Sequence, residues 1–264
     1  MRIAVISPHA SNNGNTTLAM LLALEFSSQQ KLTCITHIKP TSESFQTYLN
    51  FKPFNDKTST PSQIVKILKS GTLTASDVRS YCKQVNEALE VFTNESSNFS
   101  ADDMAFMYKY IAKVFPHEHV IFDVDSDDLG AIERVINYCD VVVMNCTQSI
   151  KDLSTFNRNK KEILDSFIGR PTIVVINRYI STQGSLKEVA KWMGLSKPNN
   201  FLVLHENPWI TWATNHGQLN ILFRKISQKD PRVIELQTDL SKICNTIVNA
   251  KKAYDKNKIT KKQQ

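Results

Sequence analysis

Two hydrophobic patterns alternate along this chain. Short runs rich in valine and isoleucine are separated by longer stretches in which apolar residues recur every three or four positions. The short runs predict strands over Arg2–Ser7, Leu32–Ile38, Ala88–Thr93, His119–Val124, Asp140–Asn145, Thr172–Asn177 and Phe201–Leu204. Val141-Val142-Val143-Met144 and Ile173-Val174-Val175-Ile176 are continuously apolar, as strands covered on both faces should be. The longer stretches predict helices, several with start signals. Leu18–Phe26 follows the first strand. Thr60-Pro61 reads as a cap followed by a first-turn proline. Thr74-x-x-Asp77 and Ser100-x-x-Asp103 place an acid at the third helical position, and Ser185-x-x-Glu188 is a full capping box.

Strand–helix alternation predicts an α/β fold with a doubly wound, mainly parallel sheet and helices on both faces. Residues 1–228 read as one domain. Within it, residues 45–100 read as a helical insertion with one strand on the same sheet. A long helix from Asp230 to about Tyr254 (residues 229–254) is expected to pack on the domain. Residues 255–264 are expected to form a frayed, basic tail.

Composition sharpens this picture. The chain has 264 residues, 41% of them apolar and 22% charged, which allows a sizeable core and excludes wholesale disorder. Only 7 residues are glycine, where average usage gives roughly eighteen. Phosphate-binding loops normally need glycine, so this shortage matters for function. The net charge is +7, but the last fourteen residues hold six lysines against Asp255 and so carry +5 of it. The body is nearly neutral, unlike that of a protein that binds nucleic acid over its whole surface. The 5 cysteines are widely spaced with no CxxC pair, which reads as buried thiols in a cytoplasmic protein. No apolar run reaches membrane-spanning length, so no membrane insertion is expected.

In open α/β sheets, ligands sit beyond the carboxyl ends of the strands. After the first strand comes Pro8-His9-Ala10-Ser11-Asn12-Asn13-Gly14-Asn15-Thr16-Thr17, then a helix. Strand, small polar loop, Gly-x-Thr-Thr, helix is the layout of a P-loop, whose amides and helix N-terminus face an anion. Thr16 is placed to hold Mg²⁺ through its hydroxyl. Asn15 stands where a P-loop lysine belongs. A polar βα turn with asparagine–glycine chemistry would look the same locally.

These residues resemble the ParA/MinD family of deviant Walker-A ATPases, whose loop reads K-G-G-x-G-K-[ST]-T. On that pattern the family's signature lysine falls on Ala10, its paired glycines on Ser11 and Asn12, and its second lysine on Asn15. Gly14, Thr16 and Thr17 match. His119-Val120-Ile121-Phe122-Asp123 resembles the Walker-B strand, with Asp123 implied on the Mg²⁺ side. Asp125, Asp127 and Asp128 crowd the next loop, the last two reading best as helix caps. Asp140–Asn145 with Thr147-Gln148-Ser149 resembles the family's next strand segment without its proline. Asn177-Arg178 resembles the strand end whose asparagine reads adenine. Glu206-Asn207-Pro208, with Ala213 and Gly217, resembles the element that packs on the base. The order of these pieces covers most of residues 1–228.

The resemblance implies a P-loop fold binding ATP or ADP with Mg²⁺ through Asn13, Gly14, Asn15, Thr16, Thr17, Asn177, Arg178 and Pro208, with Thr16 and Asp123 toward the metal. It implies a homodimer and a protein partner of partition, conjugation or pilus type. The departures lie in the phosphate site. Both lysines are missing, and the second strand ends Thr36-His37-Ile38-Lys39 without the acid that positions water. Each lost lysine removes a charge-assisted contact of roughly 1.5–3 kcal/mol. Binding is therefore expected to be weak or absent and hydrolysis slow or absent. Lys39 and His9 read as solvated loop residues rather than replacement charges. The functions left open are a divergent positioning ATPase for DNA or a macromolecular machine, a non-hydrolysing scaffold or regulator, and a DNA-binding accessory protein.

Other constellations read as structural. His117-Glu118-His119 would put both imidazoles on one strand face, but with no third ligand nearby in sequence it reads as a polar turn before the strand. Trp209 and Trp212 read as half-buried packing of a surface helix. Arg224, Lys225, Lys229 and Arg232 read as a solvated helix face that could also contact DNA non-specifically, together with the basic C-terminal region.

Overall fold

The computed structural model describes residues 1–8, 13–37, 44–50, 65–67, 69–70, 74–92, 101–124, 129–167, 169–195 and 201–262. Eight strands form one sheet: β1 (Arg2–Ile6), β2 (Thr33–His37), β3 (Lys83–Gln84), β4 (Leu89–Phe92), β5 (His119–Val124), β6 (Val141–Cys146), β7 (Thr172–Tyr179) and β8 (Phe201–His205). Their order is β3-β4-β2-β5-β1-β6-β7-β8. All pairings are parallel except β3 with β4. The chain leaves β1 for β2 on one side and reaches β6 on the other. The order therefore switches around β1, and the carboxyl ends of β1, β5 and β6 are where open α/β sheets place a ligand crevice.

The continuously apolar strands are explained by two cores, one on each face. Ile3, Val5, Ile35, Ile121 and Val143 face α1 (Asn15–Ser28), α9 (Leu219–Ser227) and α10 (Ile234–Lys262). The intervening residues Ala4, Ile6, Cys34, Val120, Phe122 and Val142 face α4 (Ala101–Val114), α5 (Leu129–Ile136), α6 (Ile150–Ser166) and α7 (Leu186–Trp192). Between the sheet and α10, every residue of α1 from Leu18 to Ser27 is buried. Glu25 lies in that run because the Ser241 hydroxyl donates to its carboxylate at 2.7 Å. Arg2 ties β1 to the end of α4. Its guanidinium donates to the carbonyls of Ala112, Phe115 and His117 at 2.6, 2.9 and 3.0 Å.

Several boundaries differ from the sequence expectation. The insertion contributes two strands rather than one, together with α2 (Ser44–Leu49) and α3 (Ala75–Arg79). The hairpin between β3 and β4 turns on Asn86, whose side-chain oxygen accepts from the amides of Ala88 and Leu89. This is an Asx turn too short for a periodicity reading to register. The last helix begins at Ile234 after a 3₁₀ turn over Pro231–Val233. It runs on to Lys262, so residues 255–262 are helical rather than frayed. Lys251 pairs there with Asp140 and Asp255, which damps the charge of the basic segment. His117 and His119 do not share a face. β5 begins only at His119, which packs tilted against Phe26, while His117 turns to the opposite core against Phe115. The capping boxes at Thr74/Asp77 and Ser185/Glu188 form as expected. The expected start at Thr60-Pro61 and the cap at Ser100 lie outside the described residues, as do Ile38 and Thr93.

The five cysteines carry free thiols. Among the described residues, no helix is long and apolar enough to cross a membrane.

Candidate phosphate-loop site

The site is built where β1, β5, β6 and β7 end. Gly14 precedes α1 in the left-handed conformation, with φ 69° and ψ 29°. A Cβ there would lie 2.8 Å from Asn177 Nδ2, so glycine is needed both for the backbone and for the approach of β7. Among the described residues, the N-cap position Gly14 offers no side chain to cap the N-terminus of α1. The first-turn amides of this helix are thus oriented as an anion site would require.

Asparagines hold the loop in place. Asn177 Nδ2 donates to the carbonyl of Asn13 at 3.0 Å and reaches that of Gly14 at 3.4 Å. Asn145 Nδ2 donates to the same Asn13 carbonyl at 3.0 Å. Asn13 Nδ2 in turn donates to Ser7 Oγ at 2.6 Å. Asn145 and Asn177 are 0% and 4% exposed, so these are interior struts rather than surface contacts. Asn177 Oδ1 accepts from the Arg178 amide at 2.9 Å. The Asn177 amide therefore faces the loop.

The lysine position has a definite occupant. Asn15 Nδ2 donates to Asp123 Oδ1 at 2.7 Å and lies 3.0 and 3.2 Å from the carbonyls of Val5 and Val124. Thr16 Oγ1 donates to Asp123 Oδ2 at 2.6 Å. The two side chains after Gly14 thus both close onto the same nearly buried carboxylate, which is 8% exposed. The register of β2 with β5 sets His37, itself buried, opposite Asp123.

Arg178 supplies a cation nearby. It sits at a β-bulge between Asn177 and Tyr179 with φ 52°, a left-handed conformation that costs a non-glycine residue about 1–2 kcal/mol. The bend leaves its guanidinium beside the loop, with Nη2 3.8 Å from where a Gly14 Cβ would be.

The structure therefore brings together Asn13, Gly14, Asn15, Thr16, Thr17, Asp123, Asn177 and Arg178 around the first strand end. Pro208 occupies the first turn of α8 (Pro208–Asn215) and is exposed, with Asn207 as its side-chain cap. Trp209 and Trp212 pack edge to face on that helix, half-buried, with Lys225 and Arg232 over the Trp209 ring. Gly217 ends this element where an added Cβ would meet the Thr47 carbonyl at 2.4 Å. Ser7 and Asn145 join this cluster through Asn13 with no sequence motif to mark them. The one available signal for Asn145 was a polar residue closing an all-apolar strand. His9, Ala10, Ser11, Asn12, Lys39, Asp125, Asp127 and Asp128 lie outside the described residues.

No family model matches the sequence, and no curated protein does. Solved structures match the fold. A ParA family ATPase from Chlorobium tepidum TLS superposes with a TM-score of 0.68 at 15% identity, covering 92% of this chain and 98% of that one. The septum site-determining protein MinD from Pyrococcus horikoshii OT3, complexed with Mg-ADP, gives 0.65 at 11% identity over 94% and 96%. A plasmid partition protein from Borrelia burgdorferi gives 0.57 at 15% identity over 84% and 98%. At these identities the likeness is one of architecture: this chain has the P-loop fold of the ParA/MinD ATPases.

Proposed function

We propose that this chain is a cytoplasmic nucleotide-binding positioning protein with a degenerate Walker-A loop. It binds ATP or ADP with Mg²⁺ weakly and hydrolyses ATP slowly or not at all. The cargo is DNA or a macromolecular machine of partition, conjugation or pilus type, and the working form is a homodimer. The observation that carries this reading is the loop itself. Gly14 holds a left-handed geometry, beside an Asn13 carbonyl braced by Asn177 and Asn145, at the N-terminus of a fourteen-residue helix.

The residues present fit a nucleotide in shape more than in charge. Backbone amides after Gly14 would hold phosphate oxygens, and Arg178 would offset part of their charge. A hydroxyl and a carboxylate suit a hard divalent ion, and Thr16 and Asp123 are that pair. Bound Mg²⁺ would neutralise phosphate charge. To admit it, the Thr16–Asp123 hydrogen bond must open. Asn15 orients Asp123 but brings no charge to a developing transition state, so turnover loses the electrostatic contribution that dominates phosphoryl transfer.

The same closure favours a second reading, a scaffold that keeps the fold for partner binding and never turns over. Calorimetry with ATP·Mg²⁺ and a phosphate-release assay separate the two. Saturable binding with slow release supports the first reading, and no binding to the folded chain supports the second. Brisk phosphate release would overturn both. A third role, non-specific DNA binding through the basic face of α10, predicts retardation of duplex DNA that weakens steeply with salt.

A further inference from the structure

We propose that Cys34, Cys82 and His117 bind one Zn²⁺ ion, which ties the edge of the sheet to its centre. One ligand atom from each residue lies within 4.8 Å of the others. The three come from separate places: Cys34 from β2, Cys82 from the link between α3 and β3, and His117 from the turn before β5. Cys34 is 0% exposed and His117 is 3% exposed.

Ordinary core packing accounts for the other thiols but leaves this group unexplained. Cys139, Cys146 and Cys244 lie singly among apolar residues, as small hydrophobes do. His117 is different. Its Nε2 meets Glu90 Oε2 at 2.8 Å, while its buried Nδ1 has no hydrogen-bond partner. A buried polar atom left without a partner costs about 1–3 kcal/mol. A metal on Nδ1 would remove that cost and leave the Glu90 contact in place, while the two thiols would give up their weak bonds to the carbonyls of Ile35 and Val78. Glu90 would then act as the carboxylate that orients a metal-bound imidazole. Arg79 holds Glu90 in turn through its guanidinium.

The donor chemistry selects the ion. Two thiolates and an imidazole are borderline-soft ligands that suit Zn²⁺. Two thiolates also neutralise a divalent cation, as a buried site requires, while Glu90 is balanced by Arg79. Metal binding would displace the proton of each thiol. With Zn–S bonds of about 2.3 Å, the two sulfurs of a tetrahedral site sit roughly 3.8 Å apart. Cys82 is half-buried at the end of the cluster, where its side chain can close that gap and water can take the fourth position.

The test is a Co²⁺ titration of the full chain, kept reduced and without nucleotide. The expected result is a sulfur-to-cobalt charge-transfer band with tetrahedral visible bands, saturating at one equivalent and erased by Zn²⁺. Cys82→Ser, which alters a half-buried position, should keep its circular dichroism and weaken Co²⁺ binding about 100-fold or more, and Glu90→Gln about tenfold. Cys139→Ser should leave the Co²⁺ titration unchanged. The proposal is overturned if the folded, reduced wild-type chain shows no such band with excess Co²⁺. It is equally overturned if Cys82→Ser titrates like the wild type.

Discussion

Gly14→Ala probes the loop most directly, and its cost divides into two parts. The first is backbone strain. At φ 69° an alanine loses about 1–2 kcal/mol relative to glycine. The second is the contact with β7. The new methyl would sit 2.8 Å from Asn177 Nδ2. A side-chain tip can often swing away cheaply, but this one is 4% exposed and donates to Asn13 at 3.0 Å. Moving it breaks one good buried hydrogen bond, about 1–3 kcal/mol. The expected total is about 3 kcal/mol, or roughly 6–12 °C in Tm for a chain of this size. Differential scanning calorimetry without nucleotide reads it. Gly169→Ala is the matched control: φ is 64°, but no atom lies within 4 Å of the added carbon, so only the strain applies. Gly14→Ala/Asn177→Ala removes the clash and should cost less than the sum of its singles by roughly 1–2 kcal/mol. If Gly14→Ala loses no more than Gly169→Ala, the strut between β7 and the loop has been misjudged.

Other outcomes follow from the same contacts. Asn15→Lys should keep the fold, because position 15 is only part-buried in the first turn of α1 and Asp123 keeps its bond from Thr16. It should also raise ATP·Mg²⁺ affinity roughly 10- to 100-fold by calorimetry; unchanged affinity in a folded variant would mean the loop is no nucleotide site. Arg2→Ala should destabilise by about 3 kcal/mol in urea titration, since it strips three carbonyls at the end of α4 of a charged donor, and Arg2→Lys should recover only part. Burial and the nearby N-terminal ammonium push His119 from its ordinary 6.5 down to about 4. Between these values the unfolded chain takes up a proton that the folded chain refuses, so this contribution is intact above pH 6.5 and is lost as pH falls toward 4. His119→Gln should therefore flatten stability between pH 7 and pH 5, and an unaltered pH slope would assign the acid limb elsewhere.

Much of the architecture was legible in short stretches of chain. Val141–Met144 and Ile173–Ile176 are continuously apolar because helices cover both faces of the sheet, so burial is written into consecutive residues. The boxes at Thr74 and Ser185 each close on their own backbone three residues away, which spacing alone reveals. The break at Gly14 before Thr16 and Thr17 marked the turn into α1 for the same reason. The two-residue strand at Lys83–Gln84 escaped because its pairing rests on one asparagine turn rather than on a pattern.

The occupants of the site were settled only by tertiary structure. On the resemblance to the ParA/MinD loop, sequence sets Asn15 at the position of a lysine. Folding turned that asparagine onto Asp123, 108 residues away, and made it a brace. Asn145 and Asn177 meet on one carbonyl across separations of 132 and 164 residues. Cys34, Cys82 and His117 likewise share no local pattern, yet the sheet order delivers them to one point. A local pattern records which residues are buried and which hydrogen bonds close within a turn. It does not record strand order, and strand order decides which buried polar groups face one another.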